Sequence, residues 1–96
     1  MRIFWLKKAR SDLQAIQKYL AFNASDEVAQ SVIQRIVQSA SLLAQNPGLG
    51  HPSESTDGIH ELQVARLPYL LPYRVIGARI EILRVFHQSQ EQPERW

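Results

Sequence analysis

The chain has 96 residues, of which 45% are hydrophobic and 21% are charged, and its formal net charge is +2. That length fits one folding unit, and the composition excludes a disordered chain. Because there is no cysteine, disulfides and thiolate metal sites are excluded and a cytoplasmic location is expected. No apolar stretch is long enough for a signal peptide or a membrane span, so we expect a single soluble domain over residues 1–96 with no membrane contact.

The first half of the sequence predicts one strand and two helices. Arg2–Leu6 is short, apolar and aromatic, which favours a strand. Apolar residues then recur at helical spacing, which predicts an amphipathic helix over about Lys8–Phe22. Ser25 is a suitable N-cap for a second helix, whose apolar stripe stops at Asn46-Pro47-Gly48. The short link between the two helices implies an antiparallel hairpin, which needs an apolar surface to lie on.

The second half predicts that surface as a sheet. The polar loop Gly48–Gly58 is expected to be the least ordered part of the chain. The strands that follow are predicted at Ile59–Ala65, Tyr69–Ile76 and Arg79–His87. Their short links indicate an antiparallel meander, with Gly77-Ala78 as a tight turn. The predicted fold is therefore α+β: an N-terminal strand, then an antiparallel helix hairpin packed on one face of a small, mainly antiparallel sheet, in the order β-α-α-β-β-β.

Two residues and the end of the chain add detail to this sheet. Pro72 has no amide hydrogen, so a bulge or an edge-facing position is expected there. The last predicted strand has apolar residues on both parities, as a central strand covered on both faces would. Arg84 interrupts that strand, and it is expected to face a groove or to meet an acid, because burying an unpaired guanidinium is costly. The final Gln88–Trp96 is polar and is predicted to be a loose tail.

Sequence motifs for familiar enzyme classes are absent. There is no phosphate-binding glycine loop or nucleophile elbow, and three scattered histidines do not form a ligand set, so neither a metal nor a cofactor is expected. The polar side chains predicted to converge at strand ends are Glu61, Arg66, Tyr69, Tyr73, Arg74, Arg84 and His87. Metal-free RNA cleavage needs a base, an acid and cations for the phosphate, and Glu61, Arg84 and His87 are the candidates. The alternative is that these residues form surface ion pairs and structural hydrogen bonds.

Several stretches follow one another from about Trp5 to Pro93 in a characteristic order. After the opening strand and helix, they are Pro47–Gly50, Gly58–Leu62, Pro68–Val75 and Ile82–His87. In this order and spacing they resemble the RelE/ParE toxin superfamily. The resemblance implies a growth-inhibiting toxin of a type II toxin–antitoxin system of the plasmid-stabilisation type, neutralised by a cognate antitoxin. It leaves open a homodimer or a toxin–antitoxin hetero-oligomer.

The superfamily has two branches with different targets, and the sequence is compared with each. RelE-like members are ribosome-dependent messenger RNA endonucleases, whereas ParE-like members poison DNA gyrase without the nuclease residues. Nuclease members commonly carry an arginine in the third strand, where this chain has Leu70–Tyr73, and a tyrosine or basic cluster where it has His87 followed by neutral residues. Both departures favour a ParE-like, non-enzymatic toxin; a RelE-like nuclease and a degenerate, non-toxic antitoxin partner are the alternatives. The residues expected to bind target or antitoxin are Arg66, Tyr69, Arg74, Arg84 and His87.

Overall fold

The computed structural model describes residues 1–96. In chain order the elements are β1 (Arg2–Trp5), α1 (Lys7–Asn23), α2 (Asp26–Leu42), β2 (His51–Pro52), β3 (His60–Gln63), β4 (Tyr69–Ile76), β5 (Arg79–Ile82) and β6 (Phe86–His87). They confirm the predicted α+β fold with an N-terminal strand, a helix hairpin and a mainly antiparallel sheet. No helix combines the length and the apolar character needed to cross a membrane.

The strands form one mixed sheet in the order β1-β5-β4-β3-β2, and β6 pairs with β4 beyond the end of β5. Only β1 runs parallel to its neighbour, β5, and the other pairs are antiparallel. Gly77, with φ at 59°, makes the predicted tight turn between β4 and β5. The edge strand β2 was not predicted, since its Pro52 is a residue that sheets accept only at an edge or a bulge.

The core lies between the helix hairpin and one face of the sheet. Ala9 of α1 and Ala40 of α2 are buried, and their small side chains let the helices lie close to the strands. The main core side chains of the sheet are Leu62, Leu71, Tyr73, Ile80 and Ile82. They occupy alternate strand positions, which places them on a single face. Their neighbours in sequence therefore form the opposite face, away from the helices.

The two helices begin in different ways. At α2, Ser25 Oγ accepts a hydrogen bond of 3.1 Å from the Val28 amide, which confirms the predicted N-cap. At α1, the N-cap Leu6 offers no side-chain hydrogen bond, and no acidic residue occupies the first turn. Lys7 and Lys8 stand there instead, at the helix end that already carries a partial positive charge.

The loop Gly48–Gly58 is held by its own hydroxyl groups. Ser53 Oγ accepts hydrogen bonds of 3.2 Å from the amides of Ser55 and Thr56, and β2 pairs with β3. These contacts give the loop a defined local structure, although its polar composition predicts the least ordered part of the chain. Side-chain oxygens bound to nearby backbone amides give a loop local structure that a composition argument does not detect.

Tyr73 fixes the start of this loop to the sheet. The Tyr73 side chain is fully buried, and its hydroxyl donates to the Pro47 carbonyl at 2.8 Å and accepts from the Gly50 amide at 2.9 Å. Burial raises the pKa of Tyr73, and the Gly50 hydrogen bond partly opposes that shift. Gly50 lies so close that a Cβ there would be 2.7 Å from the Glu61 carbonyl oxygen and 2.8 Å from the Tyr73 hydroxyl.

The predicted strand Arg79–His87 is divided in two. Between the pairs Tyr73–Ile82 and Leu70–Phe86, β4 has two residues and the facing segment, Leu83–Val85, has three. One extra residue on one strand is a β-bulge. The Leu83 amide donates to the Pro72 carbonyl at 2.9 Å. The amide and the carbonyl of one strand residue point to the same side of the strand. The nitrogen of Pro72, which has no hydrogen to donate, therefore faces the bulge.

Of the two alternatives expected at Pro72, a bulge or an edge-facing position, the bulge is found, whereas the prediction of an uninterrupted strand Arg79–His87 is wrong. The sequence pattern did not show that the extra residue is on the facing strand.

Gly50→Ala is expected to lower the free energy of unfolding by about 1–3 kcal/mol, because the added methyl group meets backbone and a buried ring that cannot move freely. The control is Gly48→Ala, where a Cβ would have no atom within 4 Å. Urea denaturation of both variants measures the difference. Equal stability of the two variants would contradict the close packing of this loop on β3 and β4.

Candidate macromolecule-binding site

The bulge between β5 and β6 is bound to α1 by one carboxylate. Arg84 donates from Nε to Asp12 Oδ2 at 2.8 Å and from Nη2 to Oδ1 at 3.1 Å, and the Val85 amide donates to Oδ2 at 2.9 Å. The hydrogen bond to Asp12 raises the pKa of Arg84, burial opposes this, and the charge of Asp12 adds to it. The expectation that Arg84 meets an acid is confirmed, and two of its nitrogen donors are already engaged.

A second set of charges lies on the sheet face away from the helices. Glu81 is 5% exposed. It accepts a hydrogen bond from Arg74 Nε at 2.8 Å and forms an ion pair with Arg79, whose Nη2 lies 2.9 Å from Glu81 Oε2. Arg2 and Arg79 both lie over the Phe4 ring, at 5.3 and 5.5 Å from its centroid. The contact to Glu81 uses only Nε of Arg74, so both terminal nitrogens of Arg74 are left for another acceptor.

The final segment of the chain, Gln88–Trp96, is anchored by its last residue on the same face of the sheet. Trp96 donates from Nε1 to Glu61 Oε2 at 2.7 Å and from its amide to Thr56 Oγ1 at 3.0 Å. Its ring meets Phe86 edge-on at 5.2 Å. The prediction of a loose tail is therefore wrong at its end. The signal that could have found this contact was an aromatic residue closing an otherwise polar segment, since a large apolar ring gains by leaving water.

His87 has a structural hydrogen bond. Its Nδ1 accepts from the Ser89 amide at 3.0 Å and lies 2.7 Å from the Ser89 hydroxyl. The ring is edge-on to Tyr69 at 5.2 Å. Because a backbone amide can only donate, Nδ1 acts as the acceptor and the proton of the neutral ring lies on Nε2.

Two surface depressions contain most of the candidate residues. The first, which we call the cationic cleft, has a volume of about 620 Å³. It lies between the start of α1, strand β4, the bulge after β5, and the final segment. Its lining is Leu6, Lys7, Lys8, Arg74, Leu83, Arg84, Pro93, Arg95 and Trp96. The second, the apolar groove of about 760 Å³, runs beside the helix hairpin and includes Ile16, Tyr19, Leu20, Val32, Tyr69 and His87.

The structure brings only some of the candidates together. Arg74 and Arg84 share the cationic cleft, and Tyr69 and His87 share the apolar groove. Arg66 lines neither; it is exposed in the turn after β3, with φ at 64°. The residues that the sequence reasoning did not select are Lys7, Lys8 and Arg95. The lysine pair directly after the first strand was the available signal for two of them.

The three candidate nuclease side chains line different depressions and have different hydrogen-bond partners. Arg84 lines the cationic cleft and binds Asp12, whereas His87 lines the apolar groove and binds Ser89. Glu61 is in a third depression and is 8% exposed. This arrangement does not form one centre in which a base, an acid and a cation face the same phosphate.

Known proteins match almost the whole chain. A family model described as the ParE toxin of the type II toxin–antitoxin system, parDE, covers residues 3–92. Y4kP, a proposed toxin of Sinorhizobium fredii, is 36% identical over 93 residues, which is 97% of this chain and 94% of that protein. Toxin ParE1 of Caulobacter vibrioides is 31% identical over 83 residues, covering 86% of this chain and 84% of ParE1.

Solved structures agree with these sequence matches. A chain from the chromosomal ParDE toxin–antitoxin system of P. aeruginosa is 36% identical, has a TM-score of 0.82, and is matched over 91% of this chain and 95% of that one. The YoeB/ParE toxin from Agrobacterium tumefaciens has a TM-score of 0.63 at 18% identity, over 91% of this chain and 98% of that one, and so shares the fold.

These similarities place the chain in the RelE/ParE superfamily of toxins. Within that superfamily it belongs to the ParE family, and it is a ParE-type toxin of a type II toxin–antitoxin system.

Asp12→Asn is expected to lower the free energy of unfolding by about 1–3 kcal/mol, since it removes the charge that Arg84 and the Val85 amide share. The matched control is Asp57→Asn on an exposed loop residue, which is expected to have little effect. A double-mutant cycle of Asp12→Asn with Arg84→Gln, measured by urea denaturation, isolates the coupling of the pair. Additive effects would mean that the ion pair does not couple α1 to the bulge.

Proposed function

We propose that this ParE-type toxin inhibits growth in the cytoplasm by poisoning DNA gyrase and that a cognate antitoxin neutralises it. Gyrase is the target that the resemblance to ParE-like toxins implies. The observation that carries the choice of branch is the separation of Glu61, Arg84 and His87 into three surroundings, within a chain that matches the ParE family over residues 3–92.

The contacts of these three residues support a non-nuclease mechanism. General-base cleavage of RNA needs a proton acceptor within about 3 Å of the 2′-hydroxyl, and cations aimed at the same phosphate. Glu61 has its Oε2 bound to Trp96, and His87 has its Nδ1 bound to Ser89. Moving either residue towards Arg84 would break these contacts and the docking of the final segment.

The apolar groove supports antitoxin binding. Tyr19 lines it and is 66% exposed, so much of this large aromatic ring is open to a partner. Its neighbours Ile16, Leu20 and Val32 make the groove mainly apolar, so an amphipathic helix could place its apolar side chains there. The groove is distinct from the cationic cleft, and the two depressions share no residue.

Expression of the chain without its antitoxin is expected to arrest growth. Purified protein is expected to inhibit supercoiling by gyrase and to leave messenger RNA intact, since the residues that could cut RNA do not converge. Supercoiling assays and primer extension on translated messages measure the two activities. Codon-positioned cuts that disappear in Arg84→Ala or His87→Ala would overturn the gyrase assignment in favour of a nuclease, and harmless accumulation of folded protein would overturn the toxin function.

Tyr19→Asp is expected to weaken antitoxin binding by about tenfold or more, because it places a charge in the centre of an apolar contact. The control is Phe22→Asp on the same helix; Phe22 is 89% exposed and does not line the groove. Calorimetric titration with the product of an adjacent antitoxin gene compares the two variants. Similar losses for both, or no loss for Tyr19→Asp, would move the antitoxin site away from this groove.

A further inference from the structure

The cationic cleft concentrates the positive charge of the protein. Five of its lining residues are Lys or Arg, and the carboxylates in contact with them are Asp12 on Arg84 and Glu81 on Arg74. Two carboxylates against five cations leave a formal surplus of three charges, which exceeds the +2 of the whole chain. The cleft therefore has a positive electrostatic potential that attracts anions, although the whole protein is nearly neutral.

Three of the five cations have no acidic partner. Lys7, Lys8 and Arg95 take part in none of the ion pairs of the structure. Lys7 and Lys8 stand at the uncapped start of α1, whose free amides and helix dipole add to their potential. Like charges placed together in this way repel one another, and a bound anion would relieve that repulsion.

The chemistry of the lining selects the kind of anion. Its charged side chains only donate hydrogen bonds, the Trp96 indole N–H is already bound to Glu61, and Leu6, Leu83 and Pro93 are apolar in their side chains. No Asp, Glu, Asn, Gln, Ser or Thr side chain is among the lining residues. A peptide would bring backbone N–H groups that need acceptors, whereas a phosphodiester backbone brings acceptors only. Phosphate oxygens therefore fit this lining better than an acidic peptide does.

A single aromatic residue, Trp96, lines the cleft, and this favours a duplex over a single strand as the ligand. Proteins that bind single strands use aromatic faces on which bases stack. The Trp96 ring is packed against Phe86 and its N–H is bound to Glu61, so the ring is held in place by the fold. The cleft has no Asn or Gln side chain, so base-edge contacts are limited to those that its Lys and Arg side chains can make. The same side chains suit contact with phosphate oxygens, which carry no sequence information.

We propose that the cationic cleft binds the phosphate backbone of double-stranded DNA through Lys7, Lys8 and Arg95, with the remaining donors of Arg74 and Arg84 completing the site. Binding belongs to the toxin itself and does not require gyrase. If the gyrase proposal also holds, this surface lets the toxin contact the DNA that the enzyme is handling.

The test is fluorescence anisotropy of a short labelled DNA duplex with the purified full chain over a range of salt concentrations. Lys8→Gln is expected to lower affinity about five- to tenfold at low salt and to reduce the slope of log K against log salt by about one, as loss of one phosphate contact predicts. The matched control, Lys18→Gln, removes the same charge from the same helix outside the cleft and is expected to retain the wild-type slope.

Other arms of the experiment identify the ligand. Single-stranded RNA and polyglutamate are added as competitors at equal concentration of charge, and the duplex is expected to bind more tightly than both. Stronger competition by either one, equal effects of Lys8→Gln and Lys18→Gln, or no duplex binding by the wild type would overturn the proposal. Thermal melting checks that Lys8→Gln folds, and Lys7→Gln replaces it if it does not. A gyrase assay on the same wild-type sample reports the proposed function separately.

Discussion

The carboxylate of Asp12 joins the two halves of this protein. It accepts three hydrogen bonds from Arg84 and Val85, which lie more than 70 positions further along the chain. Those residues form the bulge opposite Pro72, where the sheet has lost a backbone donor. The helix therefore supplies an acceptor where the strands cannot pair regularly, and α1 is fixed relative to β4 and β5. The position of the cationic cleft depends on this, because Lys7 and Lys8 begin the same helix.

Trp96 determines how much of the sheet is open. The face away from the helices would be free for a partner if the final segment were loose, as the sequence predicted. Instead, the indole packs on Phe86 and binds Glu61, and the segment forms one wall of the cationic cleft. An aromatic ring and one charge-assisted hydrogen bond thus convert an open sheet face into a cleft with a defined lining.

The two depressions differ in the chemistry that they offer. The apolar groove presents Tyr19 and its neighbours to a partner that buries apolar surface, and the cationic cleft presents Lys and Arg side chains to an acceptor-rich partner. Since they share no residue, an antitoxin in the groove and a phosphate backbone in the cleft would not compete for the same side chains. Arg84 was selected from the sequence as a binding or catalytic residue. In the structure it mainly links α1 to the bulge through Asp12, and its charge contributes to the cationic cleft in addition.

Local features of the sequence predicted much of the fold. The Ser25 cap, the helical stripes and the Gly77 turn depend on residues within about one turn of each other, so their patterns are visible in the chain. The missing amide hydrogen of Pro72 also predicted a bulge or an edge-facing position there, and the structure has the bulge. The resemblance to the RelE/ParE superfamily came from the order of these short segments, and the matches over residues 3–92 agree with it.

Candidate residues were predicted less well, because a binding site requires residues from distant parts of the chain. Residue types alone selected Glu61, Arg84 and His87 as a set, but the folded chain gives each a different partner. Lys7, Lys8 and Arg95 were missed because only the docking of Trp96 brings the two ends of the chain to one cleft. The sequence by itself determined the elements and the family, through interactions between near neighbours. The tertiary structure alone decided which charges are paired and which face a partner, because contacts between residues as far apart as Asp12 and Arg84 exist only after the chain has folded.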